Sequence, residues 1–273
     1  MRIPAVADRS GPMFRTLPLI AISAIAAVFI TISGGQLLAD PPKQPTVELK
    51  ARTVVDAKAL NFRRGIYGTC INGQTFQQEA VVSFKGYQYA AYFAHKGLLS
   101  VARRKLPGNE WETIRFDDYR IKHTDVHNVA VIGICTADGT IHLSFDHHNN
   151  DLNYRRSVPG LALEPEKFEW KAEHFGETTS ALVPGKPLGG VTYPQFYATP
   201  EGKLHLIYRT GSSGNGDWHL AEYDGNDGKW TELGMLFSSK GRYEDSRSRC
   251  AYVNPPRFGP TGRLHVTWCW RES

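Results

Sequence analysis

Asp138-Gly-Thr-Ile-His-Leu-Ser-Phe145, Glu201-Gly-Lys-Leu-His-Leu-Ile-Tyr208 and Thr261-Gly-Arg-Leu-His-Val-Thr-Trp268 are three versions of one phrase. Each sets a Gly ahead of a short alternating run, the pattern of a turn feeding a strand with two different faces. The shared His falls at 142, 205 and 265, spacings of 63 and 60. A second marker, the Trp of NEWETI, FEWKAE and KWTELG, gives Trp111, Trp170 and Trp230, spaced 59 and 60. Two independent markers that keep one period indicate repeats. An earlier, worn copy is read at Ser83–His95, SFKGYQYAAYFAH.

Beyond residue 45 no apolar period of 3.6 residues competes with this reading. A 60-residue unit holding several short strands and Gly turns predicts an all-β protein built as a β-propeller of four-stranded blades. A β-sandwich gives no reason for such a period. Residues 53–273 hold about three and a half units, whereas propellers close with roughly 4–8 blades. An unclosed propeller exposes a blade edge, so the sequence predicts a truncated chain or one closed by a partner.

Composition agrees with an ordered chain: 41% of the 273 residues are hydrophobic and 11% aromatic, enough to offset the entropy of ordering. The net charge is +5, too mild to argue for nucleic acid and compatible with a polyanionic ligand. Arg2, Arg9 and Arg15 precede an apolar run from Leu17 to Ile32, followed by SGGQLLAD. A basic region, a short apolar core and a small-residue exit predict an export signal over 1–39, with a retained membrane anchor as the alternative. Residues 40–52 read as a linker. The protein is expected to be secreted or periplasmic, and in contact with a membrane only if that segment is kept.

Four cysteines, Cys70, Cys135, Cys250 and Cys269, contain no CxxC pair. Cys250, His265 and Cys269 offer metal-ligand chemistry if the chain folds back between them; buried strand cysteines are the plainer reading.

Several polar clusters break the β pattern. His123-Thr-Asp-Val-His-Asn128 precedes the alternating strand Val129–Ile134, and Asp146-His-His-Asn-Asn150 follows Ile141–Phe145. Val191-Thr-Tyr-Pro-Gln-Phe196 and Leu206-Ile-Tyr-Arg-Thr-Gly-Ser-Ser-Gly-Asn-Gly216 are the third and fourth. Equivalent strand ends converge on the channel of a propeller, so clusters from consecutive blades can face one another. His142, His205 and His265 recur once per unit and read as architectural.

His, Tyr and Arg together form a set suited to β-elimination from a uronate. Arg is permanently charged and grips a carboxylate bidentately. A neutral His then removes the adjacent carbon-5 proton, and Tyr or a second His protonates the leaving glycosidic oxygen. Hydrolysis ordinarily uses two carboxylates, and no matching pair stands out. This chemistry requires no cofactor.

As a set, DVHN (125–128), DGTIHLSFDHHNNDLNYRRS (138–157), VTYPQF (191–196), YRTGSSGNG (208–216) and GRLHVTWCWRE (262–272) resemble the BNR-repeat proteins that include the seven-bladed ulvan lyases. Asp224–Trp230, DGNDGKW, is similar to the Asp-box turn of sialidase-like propellers. The resemblance implies that His127 and one of His147 or His148 lie in the catalytic centre. It implies Tyr193 as catalytic acid or base and Arg209 as the group that neutralises the uronate carboxylate. His123, Asn128, Tyr208 and Arg155, in or beside the same clusters, are candidates for holding an acidic polysaccharide. Some members of the family hold a structural zinc, which bears on Cys250, His265 and Cys269; a structural calcium is the other metal considered. The choice between His147 and His148 is one of register, because a one-residue slip moves the side chain to the opposite face. The expected function is an exported lyase of a uronate-containing, ulvan-like polymer. The alternatives are a glycan-binding BNR propeller without catalysis, and a sialidase-like hydrolase.

Overall fold

The computed structural model describes residues 46–74, 79–241, 244–246 and 248–272. The anticipated signal over 1–39 lies outside the described residues, as does the linker up to residue 45. Residues 46–52 are exposed and have no regular secondary structure.

From Lys50 onward the chain is a succession of antiparallel meanders. The first is a four-stranded sheet, β1 (Val81–Phe84), β2 (Tyr87–Phe93), β3 (Leu98–Lys105) and β4 (Glu112–Arg120), joined in chain order. The Lys85-Gly86 turn enters β2, so the worn copy at Ser83–His95 is a second strand like the others.

The second unit comprises β5 (Ala130–Ile134), β6 (Ile141–Phe145), β7 (His148–Asn150) and β8 (Tyr154–Arg156). β5, β6 and β8 form a three-stranded sheet. The third has β9 (Val191–Ala198), β10 (Leu204–Ser212), β11 (Asn215–Asp224) and β12 (Lys229–Phe237), with β7 of the preceding unit added as a fifth strand beside β9. The last is a bent hairpin in which β13 (Arg249–Val253) and β14 (Arg257–Phe258) pair with β16 (Trp268–Glu272) and β15 (Leu264–His265), respectively.

The sequence phrase marks the second strand of each unit, β6, β10 and β15, with its Gly in the turn before it. At the first of these turns Asp138 Oδ1 accepts the Thr140 N–H at 2.9 Å, while Gly139 takes a left-handed φ of +70°. A side chain there would also meet Leu163 at 2.5 Å, so only Gly fits.

The strands read as continuous apolar runs where both faces are covered. All five residues of β5 and of β6 are buried. β5 packs against β1, β2 and β9, and Gly133 permits the approach to β9, since a Cβ there would lie 2.5 Å from Phe196. Tyr154 and Trp230, whose indole N–H donates to the Tyr154 hydroxyl at 2.9 Å, tie the second unit to the third. His142 is buried in that aromatic group, its Nδ1 2.7 Å from the same hydroxyl. His205 is buried against Glu222 at 3.0 Å. His265, by contrast, is exposed, so the architectural reading covers two of the three.

The Trp period also differs in one unit. Trp230 lies in β12 and Trp111 immediately precedes β4, but Trp170 sits in a loop between two short 3-10 turns. Pro159, Gly160 and Pro165 interrupt this stretch, and proline cannot donate to a ladder. Isolated bridges, Ser157 with Phe175 and Tyr154 with Thr179, stand where a fourth strand was expected.

Candidate functional site

The second and third units meet the last hairpin around a cavity of about 520 Å³. Its lining includes His127, His148, Tyr193 and Arg209, joined by Tyr252 and Arg271. Among the described residues that line it there is no Asp or Glu. A larger space of about 660 Å³ beside Arg155, Leu182 and Trp230 contains none of these histidines or Tyr193; His127, His148, Tyr193 and Arg209 gather in the smaller one.

His127 comes from the loop between β4 and β5. Asp125 opens a turn there, its Oδ1 accepting the His127 backbone N–H at 2.9 Å and lying 2.6 Å from His127 Nδ1. Its Oδ2 lies 2.8 Å from His148 Nδ1. The two imidazoles stack, with centroids 4.4 Å apart and planes 23° from parallel. Burial pushes the Asp125 carboxyl up, but the hydrogen bonds from the His127 backbone and from both rings outweigh it, leaving it below the usual carboxylate value.

The turn after β6 decides which histidine faces the cavity. Asp146 holds a left-handed φ of +63° and is fully buried. Its carboxylate accepts the Tyr119 hydroxyl at 2.8 Å, the Lys122 N–H at 2.9 Å and the Asn128 amide at 2.7 Å. His147 then points into the protein, with Nε2 3.0 Å from Ser144 Oγ and 3.2 Å from the Asn153 carbonyl oxygen. Burial drives its pKa down to about 4. His148 falls on the opposite face and lines the cavity.

Tyr193 sits in a bulge. Thr192 pairs with Arg209 and Gln195 with Ile207, so Tyr193 and Pro194 together oppose Tyr208. Tyr193 takes φ +54°, a strained conformation for an aromatic residue and one that concentrates at functional sites. The bulge re-aims its ring to 6.0 Å from His127. Burial raises its phenol pKa, with Arg209 pulling the other way.

Arg209 is 2% exposed, and its guanidinium carbon lies 4.9 Å from the Tyr193 ring centroid and 5.6 Å from that of Tyr252. Its Nε and Nη1 are buried without a hydrogen-bond partner among the described residues. Such orphaned charged donors are costly unless a ligand supplies the acceptor.

Four anticipated substrate-holding residues fall elsewhere. His123 is exposed on the loop before Asp125 and does not line the cavity. Asn128 is buried and braces Asp146. Tyr208 is buried and stacks on His219 with centroids 5.4 Å apart. Arg155 is 3% exposed, paired with Asp118 and stacked 4.1 Å from the Phe116 centroid.

The metal set does not assemble either. Cys250 is buried with Sγ 3.4 Å from the Gly216 carbonyl oxygen, while His265 and Cys269 are exposed. Among the described residues the group whose ligand atoms come within 4.8 Å of one another is Asp125, His127 and His148, already engaged in hydrogen bonds.

Tyr252 carried no sequence signal in the repeat. Burial raises its phenol pKa, yet hydrogen bonds with Ser213 and Arg271 and the nearby Arg209 hold it below the usual value. One signal exists in hindsight: like Tyr193, it lies in the first strand of its unit shortly before a proline, Pro255.

Comparison with known proteins places this geometry. A long-isoform ulvan lyase of Alteromonas sp. is 27% identical over 193 residues, 56% of this chain and 19% of that protein. A short-isoform ulvan lyase of Alteromonas sp. (strain LOR) is 27% identical over 39% of this chain and 26% of its own length. The crystal structure of polysaccharide lyase Uly1 superposes with a TM-score of 0.64 at 18% identity, covering 81% of this chain and 52% of that one. A PL25 ulvan lyase bound to -[GlcA(1-4)Rha3S]- gives 0.58 at 15%, covering 81% and 50%. The chain thus spans about half the length of the solved structures it resembles and a smaller share of the curated relatives. Residues 87–273 match the BNR repeat-containing family, BNR_4, and the chain belongs to it.

Proposed function

We propose that the cavity cleaves a uronate-containing, ulvan-like polysaccharide by β-elimination, in an exported protein whose meanders are successive blades of a propeller. The observation that carries this reading is the buried Arg209, with Nε and Nη1 unpartnered among the described residues, in the wall of a cavity whose described lining includes no Asp or Glu. A carboxylate is the acceptor suited to a buried, permanently charged guanidinium with unpartnered N–H groups. The kinship with ulvan lyases, one of them solved with a glucuronate-containing oligosaccharide, supports the same ligand class.

The step balances as follows. Arg209 binds the carboxylate and stabilises the charge that develops as the carbon-5 proton leaves. Nε2 of His127 or His148 takes that proton. The electron pair forms the C4–C5 double bond as the C4–O bond breaks, and the leaving oxygen takes a proton from Tyr193. Placing one proton acceptor and one donor on the cavity wall follows general acid–base practice. Hydrolysis by two carboxylates has no equivalent in the described lining.

Incubation of the full chain with ulvan, followed in the near ultraviolet, is the test. Absorbance from the unsaturated product, lost in Arg209→Ala, supports the lyase. Saturable binding of ulvan without any absorbance gain overturns it and leaves a glycan-binding propeller. Sequencing the N-terminus of the protein recovered outside the cytoplasm tests export.

A further inference from the structure

Asp125 lies behind both cavity histidines and belongs to no step above. An ionised carboxylate is an acceptor only, and each of its oxygens meets one ring: Oδ1 is 2.6 Å from His127 Nδ1 and Oδ2 is 2.8 Å from His148 Nδ1. We propose that Asp125 is a positioning residue that fixes both histidines as the Nδ1–H tautomer, so that each ring carries its lone pair on Nε2.

The surroundings leave the carboxylate little freedom. The His127 backbone N–H also donates to Oδ1 at 2.9 Å, which holds the side chain in its own turn. Asp125 further bridges to Ile66 through the backbone. On the other side His148 is fixed through its strand: its N–H donates to Asn150 Oδ1 at 2.7 Å, and the Asn149 N–H donates to Thr192 Oγ1 at 2.8 Å. The rings stacked at 4.4 Å are therefore set by one anion between two anchored segments. In a neutral imidazole one nitrogen donates and the other accepts, and the bond made by one decides the state of the other. Here a single carboxylate makes that choice twice.

The tautomer assignment stands on this geometry alone. Its effect on turnover rests on the lyase reading, because only a ring with an unprotonated Nε2 can remove a proton from a ligand in the cavity.

Long-range nitrogen–proton NMR of the imidazoles, on the full chain at about pH 8, where unperturbed rings are neutral, separates the two. His127→Asn and His148→Asn spectra assign the signals. Both rings are expected as Nδ1–H in the native protein; an Nε2–H pattern at either overturns the proposal without any variant of Asp125. Asp125→Asn keeps a carbonyl oxygen for the His127 N–H but offers the rings one acceptor and one NH₂ donor. At least one ring must then switch to Nε2–H. Two unchanged rings in a folded variant overturn the proposal. In the lyase assay the same variant is expected to lose about 10²-fold in kcat with KM within about twofold. A native chain that shows the expected tautomers but does not cleave ulvan retires the lyase reading and leaves the positioning role intact.

Discussion

The Arg209 guanidinium lies over the Tyr193 ring, 4.9 Å from its centroid, with Tyr193 in a β-bulge next to Thr192, the residue paired with Arg209. The cation is thus held by an aromatic surface rather than by a carboxylate, and its Nε and Nη1 stay without a partner among the described residues. Arg209→Ala is expected to lower kcat/KM on ulvan by about 10²-fold or more. Arg209→Lys keeps the charge but loses the fork, and should recover only a small part of the rate. Steady-state kinetics of both variants decide it; equal rates for native and alanine proteins would remove Arg209 from the reaction.

Tyr193→Phe keeps the ring that covers Arg209 and deletes only the hydroxyl. Turnover should fall by about 10²–10⁴-fold, while unfolding free energy stays within about 1 kcal/mol of native. Denaturant melts alongside the ulvan assay test both halves. Retained activity would shift proton donation to Tyr252, whose phenol is held below its usual pKa by its neighbours.

His147 and His148 are adjacent in sequence and opposite in consequence. His148→Ala should abolish most activity with little effect on stability. His147→Ala should cost stability instead, because the ring is buried and bonded within its own turn. Burial also makes His147 a pH sensor for folding. Its native pKa is about 4, against about 6.5 in the unfolded chain, so the unfolded state takes the proton first. Its contribution is fully present above about pH 6.5 and declines as pH falls toward 4. From His147 alone the loss between pH 7 and pH 5 is about 2 kcal/mol. His142, held neutral by burial in the same way, acts in the same direction. Urea midpoints measured across this range should fall with pH, and less steeply in His147→Gln.

Arg155 does not line the cavity that holds His127 and Tyr193. Its guanidinium is buried, stacked on Phe116 and paired with Asp118, which is half-exposed. Arg155→Leu is expected to lose about 2 kcal/mol or more of stability, less than a fully buried pair would cost. The KM for ulvan should not change. A rise in KM with unchanged stability would return Arg155 to substrate binding.

The parts of the fold governed by local pattern were legible in the sequence. Alternation and a Gly turn identify β6, β10 and β15, and the polar interruptions at strand ends bring His127, Tyr193 and Arg209 to one cavity. What could not be read is set by tertiary contacts. Trp170 keeps the period yet packs in a loop against Tyr89 and Arg103, because spacing survives where prolines have removed the strand. Choosing between His147 and His148 needed the left-handed turn at Asp146, stabilised by Tyr119, Lys122 and Asn128 from an earlier segment. For Arg155 the sequence shows the charge but hides its partner Asp118, 37 residues away.

The strand β7 belongs to one unit by chain position and to the next by hydrogen bonding. Repeat architectures whose units touch only at faces can fray from one end, unit by unit. Here a three-residue stitch crosses that seam, and His148 is its first residue. The reading frame of the cavity is thus the joint between two modules: separating them would dismantle the histidine pair before either sheet lost its own strands. Amide exchange at Asn149 and at Thr192 should therefore report a shared opening, making the cavity a fuse in the module boundary rather than a decoration upon it.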